Sequence, residues 1–228
     1  MDFYRKHWPD VGVGLAVGIS IAMTIFMTLS RKKRSRAQMW SVWNLVALLL
    51  HQCEEYRVPG YFPGQFNAGV LKSEMPDHYP LNTQLAMVIN TALAYPMYIL
   101  PVLFPKKVWL GPAPVLMGFG QVIVHGIVFP LRAKARYGPG FVTALCLHLP
   151  IGIAYLRQIR REQPVKGTDW IKGGITLIGF AVGGIAAPIF LFRDKESPYR
   201  FTKQQMGPYA HQETREEGSD SLSTANIS

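Results

Sequence analysis

The sequence predicts an all-α membrane protein, a polytopic bundle of transmembrane helices, on three observations. Hydrophobic residues make up 49% of the 228-residue chain and charged residues only 17%, below the roughly 25% of a soluble domain. The charges are segregated, so that long stretches carry none. Six apolar runs approach the ~20 residues that cross a bilayer, which predicts six spans, with five as the alternative. The net charge of +10 points to nucleic acid or an anionic membrane surface. Because Lys and Arg lie in short clusters between apolar runs, with no aromatic-interleaved basic face, the expected partner is the lipid bilayer and not nucleic acid.

The elements follow in order. Residues 11–30 form the first apolar run, and the basic cluster RKKRSR at 31–36 follows it. That run is longer than the apolar part of a signal peptide and lacks a small-residue cleavage site, so residues 1–36 read as a retained anchor and basic loop. The core, 37–192, holds spans at about 38–56, 81–104, 108–131, 141–156 and 171–192. Prolines such as Pro96, Pro130, Pro150 and Pro188 fall within or beside them, acceptable in lipid where neighbouring helices re-satisfy the freed carbonyls. Residues 57–80, rich in Pro, Gly and aromatics, read as an ordered lid or interfacial loop, with His78 as a solvated residue beside Asp77. Residues 193–228 turn polar and read as a disordered tail. Cys53 and Cys146 form no disulfide framework and are expected as small buried hydrophobes. Lys and Arg concentrate in the loops that would be cytoplasmic if both termini lie outside. The reading is a multi-pass integral membrane protein, on endomembranes if the cell is eukaryotic.

The apolar run ending at residue 50 is followed by HQCEEY, an imidazole and two carboxylates where lipid or core is expected. With alternating spans, the loops after the second and fourth spans lie on one side. Measured from that side at ~1.5 Å per residue, His51 lies about 8 Å deep, His125 about 9 Å, His148 about 10 Å and Asn90 about 13 Å. Four spans thus bring polar side chains to one layer, and intramembrane ionisable groups face the bundle interior with partners. His51, Glu54 and Glu55, at i, i+3 and i+4, are expected on one helix face. Gln121 and His125, also four apart, would let an amide orient an imidazole. The first and last spans carry no mid-span charge and read as scaffold.

These residues carry a resemblance. His51, Glu54 and Glu55 spell HxxEE; Gln121-Val-Ile-Val-His125 stands where an NxxxH motif follows in a later span; Tyr137-Gly-Pro139-Gly140-Phe-Val-Thr143 matches a YxPGxxT motif. In order and spacing the chain resembles the HXXEE family of integral membrane proteins over about 40–155, departing at Gln121, where the pattern carries Asn. The resemblance implies a membrane-embedded, enzymatic protein with no settled reaction.

Side-chain chemistry leaves three readings. The first is acid–base catalysis without a cofactor on a terpenoid, sterol or acyl lipid, of isomerase, dehydratase or cyclase type. His51, Glu54, Glu55 and His125 would be catalytic, and Asn90, Gln121, Tyr137, Thr143 and His148 would bind or position. Adjacent carboxylates would raise one another's pKa, leaving one neutral to donate. The second is a zinc or iron site on His51, Glu55, His125 and His148, supporting hydrolysis or oxidation. The third is a non-catalytic proton- or ion-linked binding or transport protein. Tyr137-Gly-Pro-Gly also reads as a turn opening the fifth span.

Overall fold

The structure, a computed structural model, describes residues 2–29 and 35–210. Among these residues every regular element is helical. Five helices are long and apolar enough to cross a membrane: α1 (Asp2–Leu29), α3 (Thr83–Leu103), α4 (Val108–Ala133), α5 (Phe141–Glu162) and α6 (Gly167–Leu191). That set is consistent with a multi-pass membrane protein. The expected sixth span is the helix α2 (Arg36–Tyr56), 21 residues long, which is not among the five. The reason is compositional: its second half carries His51, Gln52, Glu54 and Glu55, all buried.

α2 is the central element. It packs along α1 through Ala16, Val46 and Leu49, against α3 through Leu48, Met97 and Tyr98, and against α5 through Ala37, Tyr155 and Ile159. The α2–α5 pair is fastened by carboxylates at both ends. At the start of α2, Glu162 accepts from Ser35 Oγ (2.6 Å), Arg36 N (2.7 Å) and Ala37 N (3.2 Å). At the start of α5, Glu54 accepts from Val142 N (3.0 Å) and Thr143 N (2.7 Å). A carboxylate at a helix N-terminus satisfies orphan N–H groups and meets the positive end of the helix dipole. The two antiparallel helices therefore cap each other. This also explains why α5 runs to Glu162 and not to residue 156: its last turn has work to do at α2.

The helices around α2 share a second feature. α3, α4, α5 and α6 each contain a π-helical segment, Val88–Leu93, Val124–Val128, Ala144–His148 and Phe180–Ala186. Each is followed by a proline two or three residues on, at Pro96, Pro130, Pro150 and Pro188. A proline donates no hydrogen bond and crowds the carbonyl four residues back. Those carbonyls belong to Ala92, Gly126, Cys146 and Gly184, all inside the widened segments. Such π turns cluster at functional sites, and here they carry Asn90, His125 and His148.

The loop between α2 and α3 is folded, as expected of a lid. Phe62–Gly64 and Gln65–Val70 are helical. Asn67 is fully buried and donates to the carbonyls of Pro76 and Leu81, both at 2.8 Å. His78 is buried and not solvated: it lies 2.5 Å from Asp77 and 2.8 Å from the Lys195 carbonyl. That second contact corrects the expectation for the C-terminal segment too. Residues 193–210 are ordered, with Phe201 and Met206 in the same hydrophobic cluster as Trp8, Leu81 and Ile189. Phe201 N donates to the Asp77 carbonyl (2.6 Å), and Gly64 lies so close to the Met206 backbone that no side chain fits there. Apolar anchors spaced through a polar stretch hold it to the lid, which composition alone conceals. The expected tail at 211–228 and the basic residues at 31–34 lie outside the described residues.

Asp77 ties this layer together. Burial pushes its carboxyl up, but the Arg200 guanidinium (2.8 Å) and the His78 ring outweigh burial and hold it below the ordinary 3.8. A depressed folded pKa adds stability above the unfolded value and loses it as pH falls through the folded one. Asp77→Asn is therefore expected to unfold at lower temperature than wild type at pH 7. The difference should shrink towards zero below about pH 3, as read from unfolding midpoints in detergent. A gap that does not narrow with acid would remove Asp77 as the clasp.

Candidate functional site

The layer of histidines forms where α2, α4 and α5 meet. The His51 ring lies 5.0 Å from that of His125 and 5.5 Å from that of His148. All three are at most 2% exposed. Close approach is made possible by glycines. Gly118 faces the His148 ring, and Gly138 lies against the His125 carbonyl. Gly140, at φ +105°, sits where a Cβ would stand 2.7 Å from His51 Cε1 and 2.8 Å from His125 Nδ1. The Tyr-Gly-Pro-Gly turn is thus the floor on which two imidazoles rest, as well as the start of α5.

Glu54 and Glu55 do different things. Glu54 accepts four bonds, from Tyr137 Oη, Val142 N, Thr143 N and Thr143 Oγ1 (2.5 Å). Burial and the Glu54 carboxylate keep the Tyr137 phenol well above its usual pKa, so it remains the donor. Glu54, expected to act in catalysis beside Glu55, uses these bonds to hold the N-terminus of α5. Successive helix residues point about 100° apart and do not face one another, so the two carboxylates do not form a pair. Glu55 turns the other way. Its Oε1 lies 3.3 Å from His125 Nε2 and 3.6 Å from His51 Nε2.

The hydrogen bonds fix two tautomers. Thr143 Oγ1 has one proton, which goes to Glu54, so at 3.0 Å it accepts from His51 Nδ1–H. His51 Nε2 is then a bare lone pair, and it has no hydrogen-bond partner. His148 Nδ1 donates to Asn44 Oδ1 (2.9 Å), leaving its Nε2 bare and unpartnered as well. His125 Nδ1 also lacks a partner. Gln121 makes no hydrogen bond to His125: the π turn at Val124–Val128 widens the helix between them and breaks the four-residue alignment.

One face of this cluster opens into a cavity of about 330 Å³. Its polar end is made by His51, Glu55, His125, Gln121, Tyr56 and Asn90, and apolar side chains from α2, α3, α4 and α6 make the rest. Asn90 donates to the Tyr56 hydroxyl (3.2 Å) and the Ala86 carbonyl (2.9 Å). The lid contributes Phe62 and Phe66, whose rings stack with the rim of the site. α6 is more than scaffold, since Phe180, Ala181, Ile185 and Ile189 form a cavity wall. α1 stays outside the cavity. His148 does not line it and stands behind His51.

Sequence reasoning missed Asn44, Gln52 and Gln65. Asn44 lies seven residues before His51, two helical turns back on the same face, and that spacing would have flagged it. Gln65 is fully buried and donates to the Tyr137 carbonyl (2.9 Å), bridging lid and turn. Nothing in its local sequence marks it. Of the two cysteines, Cys146 is exposed on the outside of α5 and Cys53 half-buried, and both are free.

No curated protein and no solved structure matches the chain. Residues 42–155 match the family described as proteins of unknown function with an HXXEE motif, a span that contains all three motifs and half of the chain, and the protein belongs to the HXXEE family.

Proposed function

We propose that this protein is a membrane-embedded enzyme that converts a lipophilic small molecule, such as a terpenoid, sterol or acyl lipid, by acid–base chemistry at Glu55, His51 and His125. In this reading α2 is a sixth span. Its 21 residues reach about 31 Å at ~1.5 Å per residue, a hydrocarbon thickness. Its polar half is tolerated because other helices enclose it.

The observation that carries the proposal is the cavity. An apolar chamber ends in a carboxylate and two imidazoles whose only side-chain hydrogen-bond partner outside the trio, among the described residues, is Thr143, on the far nitrogen of His51. Structural polar groups inside a membrane protein are satisfied by permanent partners, as Glu54 is. Groups left facing a cavity are available to a substrate. Glu55 and the two imidazoles can take a proton from one substrate position and return it at another. Such a cycle leaves the centre unchanged and suits an isomerisation, dehydration or cyclisation. Gln121, which makes no hydrogen bond to His125, would hold the oxygen function of the substrate, and the apolar walls its hydrocarbon part.

Glu55→Gln is expected to abolish turnover without unfolding the protein. Lipid and metabolite extracts of cells expressing wild type, Glu55→Gln or no protein would be compared. A compound that changes only with wild type supports the reading. Wild-type and Glu55→Gln extracts that are identical would dispose of it.

A further inference from the structure

We propose that His51, His125 and Glu55 bind a divalent first-row transition-metal ion, of the zinc or ferrous iron class, whose open position faces the cavity. The inference rests on the site proposed above and revises its division of roles. Ligating imidazole nitrogens carry no substrate proton, and a water on the ion would do so in their place. The inference stands on geometry that does not depend on turnover.

His51 Nε2 is a lone pair, because Glu54 takes the Thr143 proton and Thr143 in turn takes that of His51 Nδ1. This nitrogen lies 3.6 Å from a carboxylate oxygen of Glu55, in a place 1% exposed. His125 Nε2 faces the same oxygen at 3.3 Å. Where the bare His51 nitrogen and the Glu55 carboxylate stand side by side, a cation between them is favourable. A proton serves one donor–acceptor pair at a time and draws it to about 2.7–2.9 Å. These separations are longer, and one atom of each of the three residues lies within 4.8 Å of the others.

The spacing fits a metal. Arms of about 2.1 Å in a tetrahedron put neighbouring ligand atoms about 3.4 Å apart. The two edges through Glu55, 3.3 and 3.6 Å, straddle that length. Two imidazoles and one carboxylate also form the donor set of hydrolytic zinc sites and of open ferrous sites. The surroundings have the form that metal ligands need. A ligating imidazole donates its other N–H to an orienting group. The chain Glu54–Thr143–His51 supplies one for His51, whereas His125 Nδ1 has no partner and is held by ring packing alone. All three proposed ligands line the cavity, so the open position meets the substrate. There the ion would polarise a substrate oxygen or activate a water. His148 is not in the group, and its Asn44 contact places it behind His51 as a positioning residue.

The test uses the full chain purified in detergent. Elemental analysis is expected to find about one zinc or iron per chain, reduced at least tenfold in His125→Ala. A His7→Ala control, half exposed on α1 outside the cavity, should keep the ion. Because a ligand variant can fold poorly, chelator-treated wild type is also titrated with cobalt(II). One equivalent should give the visible absorption of a tetrahedral nitrogen–oxygen site, displaced by zinc. Thr143→Ala should weaken cobalt binding by 10- to 100-fold, through loss of the His51 orientation. Folded wild type that carries no metal and takes up neither cobalt nor zinc overturns the proposal. If such metal-free protein still converts its substrate, the enzyme reading survives alone. Stoichiometric metal in a protein that leaves cell extracts unchanged would keep the site and sink the enzyme.

Discussion

Replacing Glu54 by Gln is expected to lower the midpoint of thermal unfolding in detergent by roughly 10 °C, whereas Glu55→Gln leaves it within about 3 °C of wild type. The two residues are neighbours in sequence and alike in chemistry, and both are 6% exposed. What differs is their partners. Glu54 holds two backbone N–H groups, a hydroxyl and a phenol. Hydrogen bonds to a charged group contribute about 1.5–3 kcal/mol each, and unmet buried donors cost more than unmade bonds. An amide in place of the carboxylate removes the charge at the α5 N-terminus and aims an N–H₂ at donors. A loss on the order of 3–5 kcal/mol follows, or roughly 10 °C for a chain of this size. Glu55 makes no such bonds, so its amide costs little in stability while it removes the group that faces the cavity. Differential scanning of the two variants side by side reads the contrast. Equal destabilisation by both would mean that the division of labour between anchor and reactive carboxylate is wrong.

That division was only partly legible in the sequence. The helical class and the gathering of His51, His125 and His148 in one layer follow from apolar run length and from residue counting, because helix rise is fixed. The lid follows from the Pro, Gly and aromatic content of residues 57–80. Direction around a helix is harder to read. Placing Glu54 and Glu55 together rests on a spacing that sets them about 100° apart, and the contact that distinguishes them comes to Glu54 from Thr143, 89 residues away. Gln121 shows the opposite error. Its four-residue spacing from His125 holds in an ideal helix, yet Pro130 and the π turn before it undo the alignment. Pro96, Pro130, Pro150 and Pro188 are visible, and the carbonyls they free, four residues back, fall in the widened turns, whereas Pro9 and Pro101 mark none. The ordered stretch at 193–210 was concealed because its anchors, Phe201 and Met206, are isolated apolar residues in a polar run. Such residues acquire meaning only from what they pack against.

Gly140→Ala should damage the site directly. At φ +105° a β-carbon is strained wherever it points, a cost of about 1–3 kcal/mol. Here it also points at the two rings of the site, 2.7 Å from His51 Cε1 and 2.8 Å from His125 Nδ1. Neither ring can simply step aside. His51 is tied through Thr143 to Glu54, and His125 is wedged among the rings of His51, Phe62 and Phe129. The rings must therefore separate, which spreads the triangle they form with Glu55. Displacements approaching 1 Å cost on the order of 10²-fold in rate, and the same spreading should weaken cobalt binding. Gly174→Ala is the control, since nothing lies within 4 Å of a Cβ there. In the middle of α6 it should be neutral or stabilise by about 0.5–1 kcal/mol. Conversion of the substrate, cobalt uptake and unfolding midpoint measured on both variants separate strain from site geometry. Strain alone lowers the midpoint and leaves cobalt binding to the folded fraction intact, whereas a displaced cradle abolishes tight binding in protein that is still folded. Gly140→Ala with wild-type turnover and cobalt affinity would show that the turn does not hold the imidazoles in place.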